Sequence, residues 1–149
     1  MQQTCIRMEI MNPFDFITKL KQEGFRITSS RRALVEIFFA NKKPLTIHQI
    51  TELFNKKQIA VNKTTIYREL AFLVKYGFIH ELQIANNIVH YELADQLHHH
   101  HFVCNSCGKI QDIILEDEHK FFKKLLKSKN FLVDEHSLEF FGQCRNCKS

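Results

Sequence analysis

Two pairs of cysteines, each with two residues between its members, lie in the last third of this 149-residue chain. They are Cys104 with Cys107 and Cys144 with Cys147. Each C-x-x-C pair can direct two thiolates at one metal ion, so two pairs complete the tetrahedron that zinc prefers. We find no signal peptide and no twenty-residue apolar run, so we expect a cytoplasmic protein whose paired cysteines bind metal rather than form disulfides. The sequence therefore predicts a C-terminal module with a four-cysteine zinc site.

Four consecutive histidines, His98 to His101, come shortly before the first cysteine pair. On a strand, alternate side chains face opposite sides, so His98 and His100 would face one side and His99 and His101 the other. Neutral imidazole suits zinc or ferrous iron, and a carboxylate is the usual companion for iron. One histidine run can therefore serve two metal sites in addition to the cysteine cluster.

Other candidate ligands lie on both sides of the histidine run. The candidates that would join His99 and His101 are Glu92, Asp112, His80 and His90. The candidates that would join His98 and His100 are His119, on a predicted helix, and His136, before the last predicted strand. A solvated histidine-rich segment without a specific metal is the simpler alternative.

The order of predicted helices and strands divides the chain into two domains. Residues 1–93 contain four helical segments with apolar periodicity, followed by two strand-like runs that favour a β-hairpin. The predicted N-caps of these helices are Asn12, Thr28, Thr46, and Asn62 or Thr64. Residues 94–97 are a predicted hinge. In residues 98–149 the sequence predicts two strands, then one helix, then a last strand. Helices followed by a hairpin are typical of a winged helix-turn-helix, so we predict an α+β protein in which the hairpin is the wing.

The positive charge of the chain is concentrated in the predicted winged helix. Residues 1–91 contain thirteen Lys/Arg and seven Asp/Glu, a net charge of +6, whereas residues 92–149 contain eight and nine, a net charge of −1. A basic module favours a polyanionic partner such as double-stranded DNA. The predicted reading helix carries Lys63, Thr64, Thr65, Tyr67 and Arg68. Tyr67 and Arg68 lie near its start, where side chains reach base edges, while an amphipathic surface helix is the alternative.

Taken together, these motifs resemble the ferric uptake regulator (Fur) family of metal-dependent transcriptional repressors. The resemblance runs from about residue 21 to the C-terminus. It is carried by Gly24-Phe25-Arg26-Ile27-Thr28-x-x-Arg31, Thr65-Ile66-Tyr67-Arg68-x-Leu70, Tyr91-Glu92-Leu93, the segment from His98 to Lys109, His136-Ser137-Leu138 and Cys144-x-x-Cys147. It implies an N-terminal winged-helix DNA-binding domain, a C-terminal α/β dimerisation domain, and a homodimeric repressor of a pseudo-palindromic operator.

The resemblance also implies roles for individual residues. Tyr67 and Arg68 would contact bases and Arg26 would reach a minor groove. The further predicted DNA contacts are Arg31, Lys63, Thr64 and Thr65. The structural zinc ion would bind Cys104, Cys107, Cys144 and Cys147. The regulatory site would use Glu92, His99, His101 and Asp112, with His80 as a further candidate. An additional site would use His98, His100, His119 and His136.

Three positions leave the sensed metal open between zinc and iron, with manganese also possible. Pro44 stands where iron and peroxide sensors of the family have a ligand histidine. His80 falls where zinc sensors can place a ligand in the wing, although those proteins usually have Cys at the Glu92 position. Peroxide sensors typically have Asp at that position, so peroxide sensing is less favoured.

Two other functions would account for some of the histidine, glutamate and cysteine motifs. His90-x-Glu92 ahead of the first cysteine pair is similar to the H-x-E…P-C-x-x-C signature of zinc nucleobase deaminases. However, Val103 replaces the proline, the separation from Glu92 to Cys104 is short, and the second cysteine pair would have no role. A metal-storage or trafficking protein would use the metal ligands but not the basic domain. We therefore predict a DNA-binding regulator that is not an enzyme and has no membrane partner.

Overall fold

The computed structural model describes residues 12–84, 88–94, 99–131, 136 and 138–148, without the side chains of His119, Phe121 and Ser128. The chain forms two compact units, Met1–Gln96 and Leu97–Ser149. The predicted hinge falls at this division, but residues 95–97 lie outside the described part of the chain. None of the described helices is long and apolar enough to cross a membrane.

The described part of the first unit consists of four helices and a small sheet. Its elements are α1 (Pro13–Gln22), α2 (Ser29–Ala40), β1 (Leu45–Thr46), α3 (Ile47–Lys56), α4 (Lys63–Lys75), β2 (Ile79–Ile84) and β3 (Ile88–Leu93). The sheet has the order β1-β3-β2, and both pairings are antiparallel. This is the predicted order of helices followed by a β-hairpin, with β1 as a short addition.

Each of the four helices begins at a polar residue whose side chain accepts backbone N–H groups. Asn12 caps α1, Thr28 caps α2, and Thr46 caps α3 together with Gln49 in a capping box. Asn62 caps α4, where its Oδ1 atom accepts the N–H of Thr65 at 2.7 Å. These bonds satisfy donors that have no partner inside the helix, and they confirm the predicted starts.

The core of the first unit determines which face of α4 is exposed. Ile66, Leu70 and Leu73 of α4 are each only 1% exposed, and they pack with buried side chains of the other helices. Their three- and four-residue spacing places them on one face of the helix. Tyr67, half exposed, and Arg68, also exposed, therefore lie outside the core.

Among its described residues, the second unit has a three-stranded sheet and one helix. Its elements are β4 (His100–Cys104), β5 (Ile110–Ile113), α5 (Glu118–Lys129) and β6 (Glu139–Gly142). The central strand β4 pairs antiparallel with β5 and parallel with β6. In the parallel register Cys104 lies opposite Gly142, so the segments that follow β4 and β6 leave the sheet at the same end. Cys104 is the last residue of β4 and Cys107 follows it, while Cys144 and Cys147 both follow β6.

Candidate metal centres and nucleic-acid interface

The four paired cysteines converge in the second unit. Their sulfur atoms all lie within 4.8 Å of one another, and the Sγ atoms of Cys107 and Cys144 are 3.8 Å apart. Two sulfurs bound to one tetrahedral zinc ion at about 2.3 Å would lie about 3.8 Å apart. The donor set and its spacing therefore fit a structural zinc ion.

Backbone donors and the crowding of thiols change the acidity of this cluster. The N–H of Cys144 lies 3.3 Å from the Sγ atom of Cys104, and this bond, followed by one from Cys107, lowers the pKa of Cys104 from 9.0 to about 6. Hydrogen bonds with the side chains of Cys144 and Cys107, and burial, raise the pKa of Cys147 to about 12. The cluster thus favours one thiolate and opposes a full set of four unless a cation is bound.

The described histidines of the run, His99 to His101, divide between two faces, as strand alternation predicts. On one face the Nε2 atoms of His99 and His101 are 3.2 Å apart, and Asp112 Oδ1 lies 4.0 Å from His101 Nε2. Asp112 is the register partner of His101 on β5. Two nitrogens bound to one tetrahedral zinc ion at 2.0–2.1 Å would lie about 3.3–3.4 Å apart. The second unit therefore presents a partial metal site on this face.

The other two predicted regulatory ligands belong to the first unit. Glu92 on β3 is buried at 5% exposure, and His80 on β2 is its cross-strand partner and is exposed. Side chains of directly opposed residues in an antiparallel pair share one face of the sheet. The participation of Glu92 and His80 in a regulatory site stays a prediction.

The opposite face of β4 brings His100 together with a carboxylate and a second histidine. Glu118 Oε1 lies 2.8 Å from His100 Nε2 and 2.6 Å from His136 Nε2. His100 and Glu118 are buried, at 3% and 9% side-chain exposure. These three residues form a metal-ligand group that includes two of the four ligands predicted for the additional site.

The other two predicted ligands of this site are His98, which lies outside the described residues, and His119, whose side chain does. Glu118 was missed by sequence reasoning, which selected its histidine neighbour. Glu118 stands in the first turn of α5, and only its contact with a residue of β4, 18 positions earlier, identifies it as a candidate ligand.

The exposed face of α4 presents most of the predicted DNA contacts. Lys63, Thr64, Tyr67 and Arg68 are exposed, and Thr65 is partly buried beside its cap. Arg26, in the segment between α1 and α2, is exposed as well. Polar, basic and aromatic side chains at the start of a capped helix are suited to reading a major groove.

Arg31 differs from the other predicted DNA contacts, because its guanidinium is bonded within the first unit. Its Nε atom donates to Glu69 Oε2 at 2.7 Å, and its Nη1 atom donates to the carbonyl oxygen of Arg26 at 2.8 Å. It also packs over the ring of Phe72 at 3.6 Å, and its side chain is only 12% exposed. These contacts indicate a structural use of Arg31.

Comparison with known proteins decides the family. The sequence model of the ferric uptake regulator family matches residues 22–141. The chain belongs to the ferric uptake regulator family. This confirms the predicted family and the α+β fold class.

Relatives and solved structures agree with this assignment. The ferric uptake regulation protein of Synechococcus elongatus is 29% identical over 135 residues, which cover 87% of this chain and 90% of the relative. The peroxide-responsive repressor PerR of Staphylococcus saprophyticus is 26% identical over 134 residues, which cover 90% of each chain. The solved structure of Helicobacter pylori Fur superposes with a TM-score of 0.77 at 25% identity, covering 89% of this chain and 88% of that one.

The Fur-family assignment accounts for residues that the deaminase alternative leaves without a role. Cys104 and Cys107 share one cluster with Cys144 and Cys147, the pair that the deaminase signature does not use. The structure therefore favours the family assignment over the deaminase alternative.

Proposed function

We propose that this Fur-family protein is a cytoplasmic, homodimeric repressor that binds a pseudo-palindromic DNA operator when a regulatory metal site is occupied. The observation that carries the proposal is the set of donors on and beside β4: imidazoles on one face, an imidazole with Glu118 and His136 on the other, and a four-cysteine cluster that includes its last residue. Helicobacter pylori Fur, whose solved structure reveals three functional metal-binding sites, gives a precedent for three centres.

The cysteine cluster is the proposed structural zinc site. A sheet of three short strands with one helix has little core, and structural zinc can contribute roughly 10–16 kcal/mol of apparent folding free energy. The zinc ion would tie the end of β4 to the segment after β6, and it would thereby stabilise the pairing of these two strands. We expect this ion to stay bound while the regulatory metal exchanges.

The regulatory site is proposed to use His99, His101 and Asp112 from the second unit with Glu92 from the first. His80 is a further candidate ligand. An ion that takes ligands from two units restricts how they can be arranged, and it shifts the population only if it binds the DNA-competent arrangement more tightly. Metal would thereby set the spacing of two reading helices in the dimer to match successive major grooves.

The additional site is proposed to use His100, Glu118 and His136, with His98 and His119 as further predicted ligands. Two imidazoles and one carboxylate suit zinc or ferrous iron. We propose zinc or ferrous iron as the regulatory metal too, with manganese as the third candidate.

DNA recognition is proposed to rest on α4 and on Arg26. Arg68 can donate two hydrogen bonds to guanine, Tyr67 can pack on a thymine methyl group, and Arg26 would reach the minor groove. Lys63 would contact a phosphate and add salt-dependent affinity without sequence preference. Thr64 and Thr65 are the remaining proposed contacts on the first turn of α4.

Dimerisation is proposed to involve the second unit. Its described part exposes several large apolar side chains, among them Ile114 at 67%, Phe131 at 65% and Phe141 at 52%. Burying such side chains against a second copy stabilises each by roughly 1.5–3 kcal/mol. A unit of this size would gain much of its stability in that way.

Metal analysis followed by DNA binding tests the proposal. The operator is first selected from a random DNA pool with metal-loaded protein, and binding is then titrated by fluorescence anisotropy after the regulatory metal is removed and Zn²⁺, Fe²⁺ (anaerobically) or Mn²⁺ is added. We expect one of these ions to tighten binding at least tenfold. DNA affinity that does not change with chelation would reject the switch, and failure to bind any DNA at low salt would favour the storage or trafficking alternative.

The substitution Glu92→Ala tests the regulatory ligand set. It should reduce the effect of added metal on DNA affinity, because the ion loses the ligand from the first unit, while the protein keeps the zinc of the cysteine cluster. Glu81→Ala, on the neighbouring strand of the same sheet, is the control. A full metal response in Glu92→Ala would remove this residue from the site.

A further inference from the structure

Arg31 joins three parts of the first unit through one side chain. It lies in the first turns of α2, its Nε atom donates to Glu69 on α4, and its Nη1 atom donates to the carbonyl oxygen of Arg26. The guanidinium also packs over Phe72, one turn further along α4. The planar guanidinium can make these contacts at once, which a lysine amine cannot reproduce.

Glu69 receives a second bond from the same segment. The hydroxyl of Thr28, which caps α2 by accepting the N–H of Arg31 at 3.1 Å, lies 3.4 Å from Glu69 Oε1. The side chains of Arg31 and Glu69 are each 12% exposed, so their hydrogen-bonded ion pair is shielded from most solvent screening. Thr28 and Arg31 thus both bond to Glu69 on α4, and Arg26 is held through the guanidinium of Arg31.

We propose that Arg31 is a positioning residue, which with Glu69 holds the segment carrying Arg26 at a fixed place against the reading helix α4. The inference rests on the proposed function, in which Arg26 and α4 read neighbouring grooves of one DNA site. Because Glu69 directly follows Arg68, the ion pair sets the position of the minor-groove residue relative to the major-groove residues. Arg31 itself is then not a direct DNA contact, which differs from the prediction made from the sequence.

The two roles of Arg31 predict opposite effects for a change at Glu69. The carboxylate of Glu69 places a negative charge on a helix that approaches phosphates, so removing that charge alone should strengthen DNA binding. If the ion pair instead positions Arg26, removing Glu69 should weaken binding despite the more favourable charge. The salt dependence separates the roles as well, since losing one phosphate contact makes the negative slope of log K against log salt shallower by about 0.9.

The experiment compares wild type with Glu69→Met, Arg31→Met and Arg31→Lys on the selected operator over a range of salt concentrations. We expect each variant to bind about tenfold more weakly, the scale of a lost hydrogen bond to a charged group, with a salt slope close to that of wild type. Selectivity should fall most at the base pairs read by Arg26. The conservative variant Glu69→Gln keeps an oxygen that can accept from Arg31 Nε, and it should recover most of the affinity.

The matched control is Arg32→Met, which removes the same charge from an exposed neighbouring position. It should not change base selectivity. Circular dichroism and metal content show whether each variant folds. If a methionine variant does not fold, the single variants Arg31→Lys and Glu69→Gln replace it in the comparison.

Two results would overturn the inference while leaving the proposed function in place. One is unchanged or tighter operator binding by Glu69→Met, and the other is a negative salt slope that is shallower by about one in Arg31→Met. A wild-type protein that binds no DNA would overturn the proposed function first, and the inference with it.

Discussion

At the scale of single residues, the side-chain alternation of a strand explains how adjacent histidines serve different sites. His99 and His101 approach each other on one face of β4, and His100, between them, contacts Glu118 on the other. The same acceptor oxygen of Glu118 also meets His136. A change at one of these residues should therefore affect one metal centre and leave the others occupied.

The substitution Glu118→Ala tests the additional site. It removes the carboxylate that lies between two imidazoles, so the protein should bind one metal ion fewer per chain and should keep its cysteine-bound zinc. Elemental analysis after gel filtration measures this directly. Glu116→Ala, at an exposed position two residues earlier, is the control, and equal metal content in both variants would contradict the assignment.

The substitution Cys104→Ser tests the structural zinc site. Because Cys104 is the most buried residue of the cluster and provides its favoured thiolate, the variant should lose the tightly bound zinc and unfold at a clearly lower temperature. Elemental analysis and thermal unfolding followed by circular dichroism measure these two changes. Ser106→Ala, in the same turn, should keep the ion. Retention of zinc by Cys104→Ser would show that three thiolates suffice.

At the scale of secondary structure elements, the helix caps connect the sequence to the DNA-binding face. Asn12 and Asn62 make similar bonds to backbone N–H groups, but only Asn62 fixes the start of the helix that presents Tyr67 and Arg68. The cap is thus a local feature with a functional consequence, since it sets which residues occupy the first turn of α4.

Paired cap substitutions separate stability from recognition. Asn62→Ala and Asn12→Ala should each lower the free energy of unfolding by about 1 kcal/mol. Only Asn62→Ala should also weaken DNA binding, and Asn62→Ser, which keeps a side-chain acceptor, should restore it. Urea unfolding and anisotropy measure the two effects. Equal DNA affinity for both alanine variants would contradict this role of the cap.

Some features of these elements could be predicted from the sequence and others could not. Helix starts and the division of the histidine run followed from caps and strand alternation, which are local rules. The pairing of β1 with β3 was not predicted, because a two-residue strand such as Leu45–Thr46 has no periodicity to detect. Glu118 and the Glu69–Arg31 pair were missed for another reason: both depend on contacts between residues distant in sequence, 18 and 38 positions apart.

At the scale of the whole molecule, the charge distribution matches the division into two units. The excess positive charge belongs to residues 1–91, and the clusters of cysteine and of His100 with Glu118 belong to the second unit. A protein built this way can attract DNA through one unit and bind metal through the other. The proposed function requires that the two activities be coupled.

Reciprocal coupling is the most direct test of this account. If metal tightens operator binding by some factor, the operator must tighten metal binding by the same factor, because both steps belong to one thermodynamic cycle. The measurement is the affinity for the regulatory metal, by competition with a chelator, with and without saturating operator DNA. We predict at least tenfold tighter metal binding in the presence of DNA for wild type and little change for Glu92→Ala. Equal metal affinity with and without DNA, in a protein that binds both, would contradict the account.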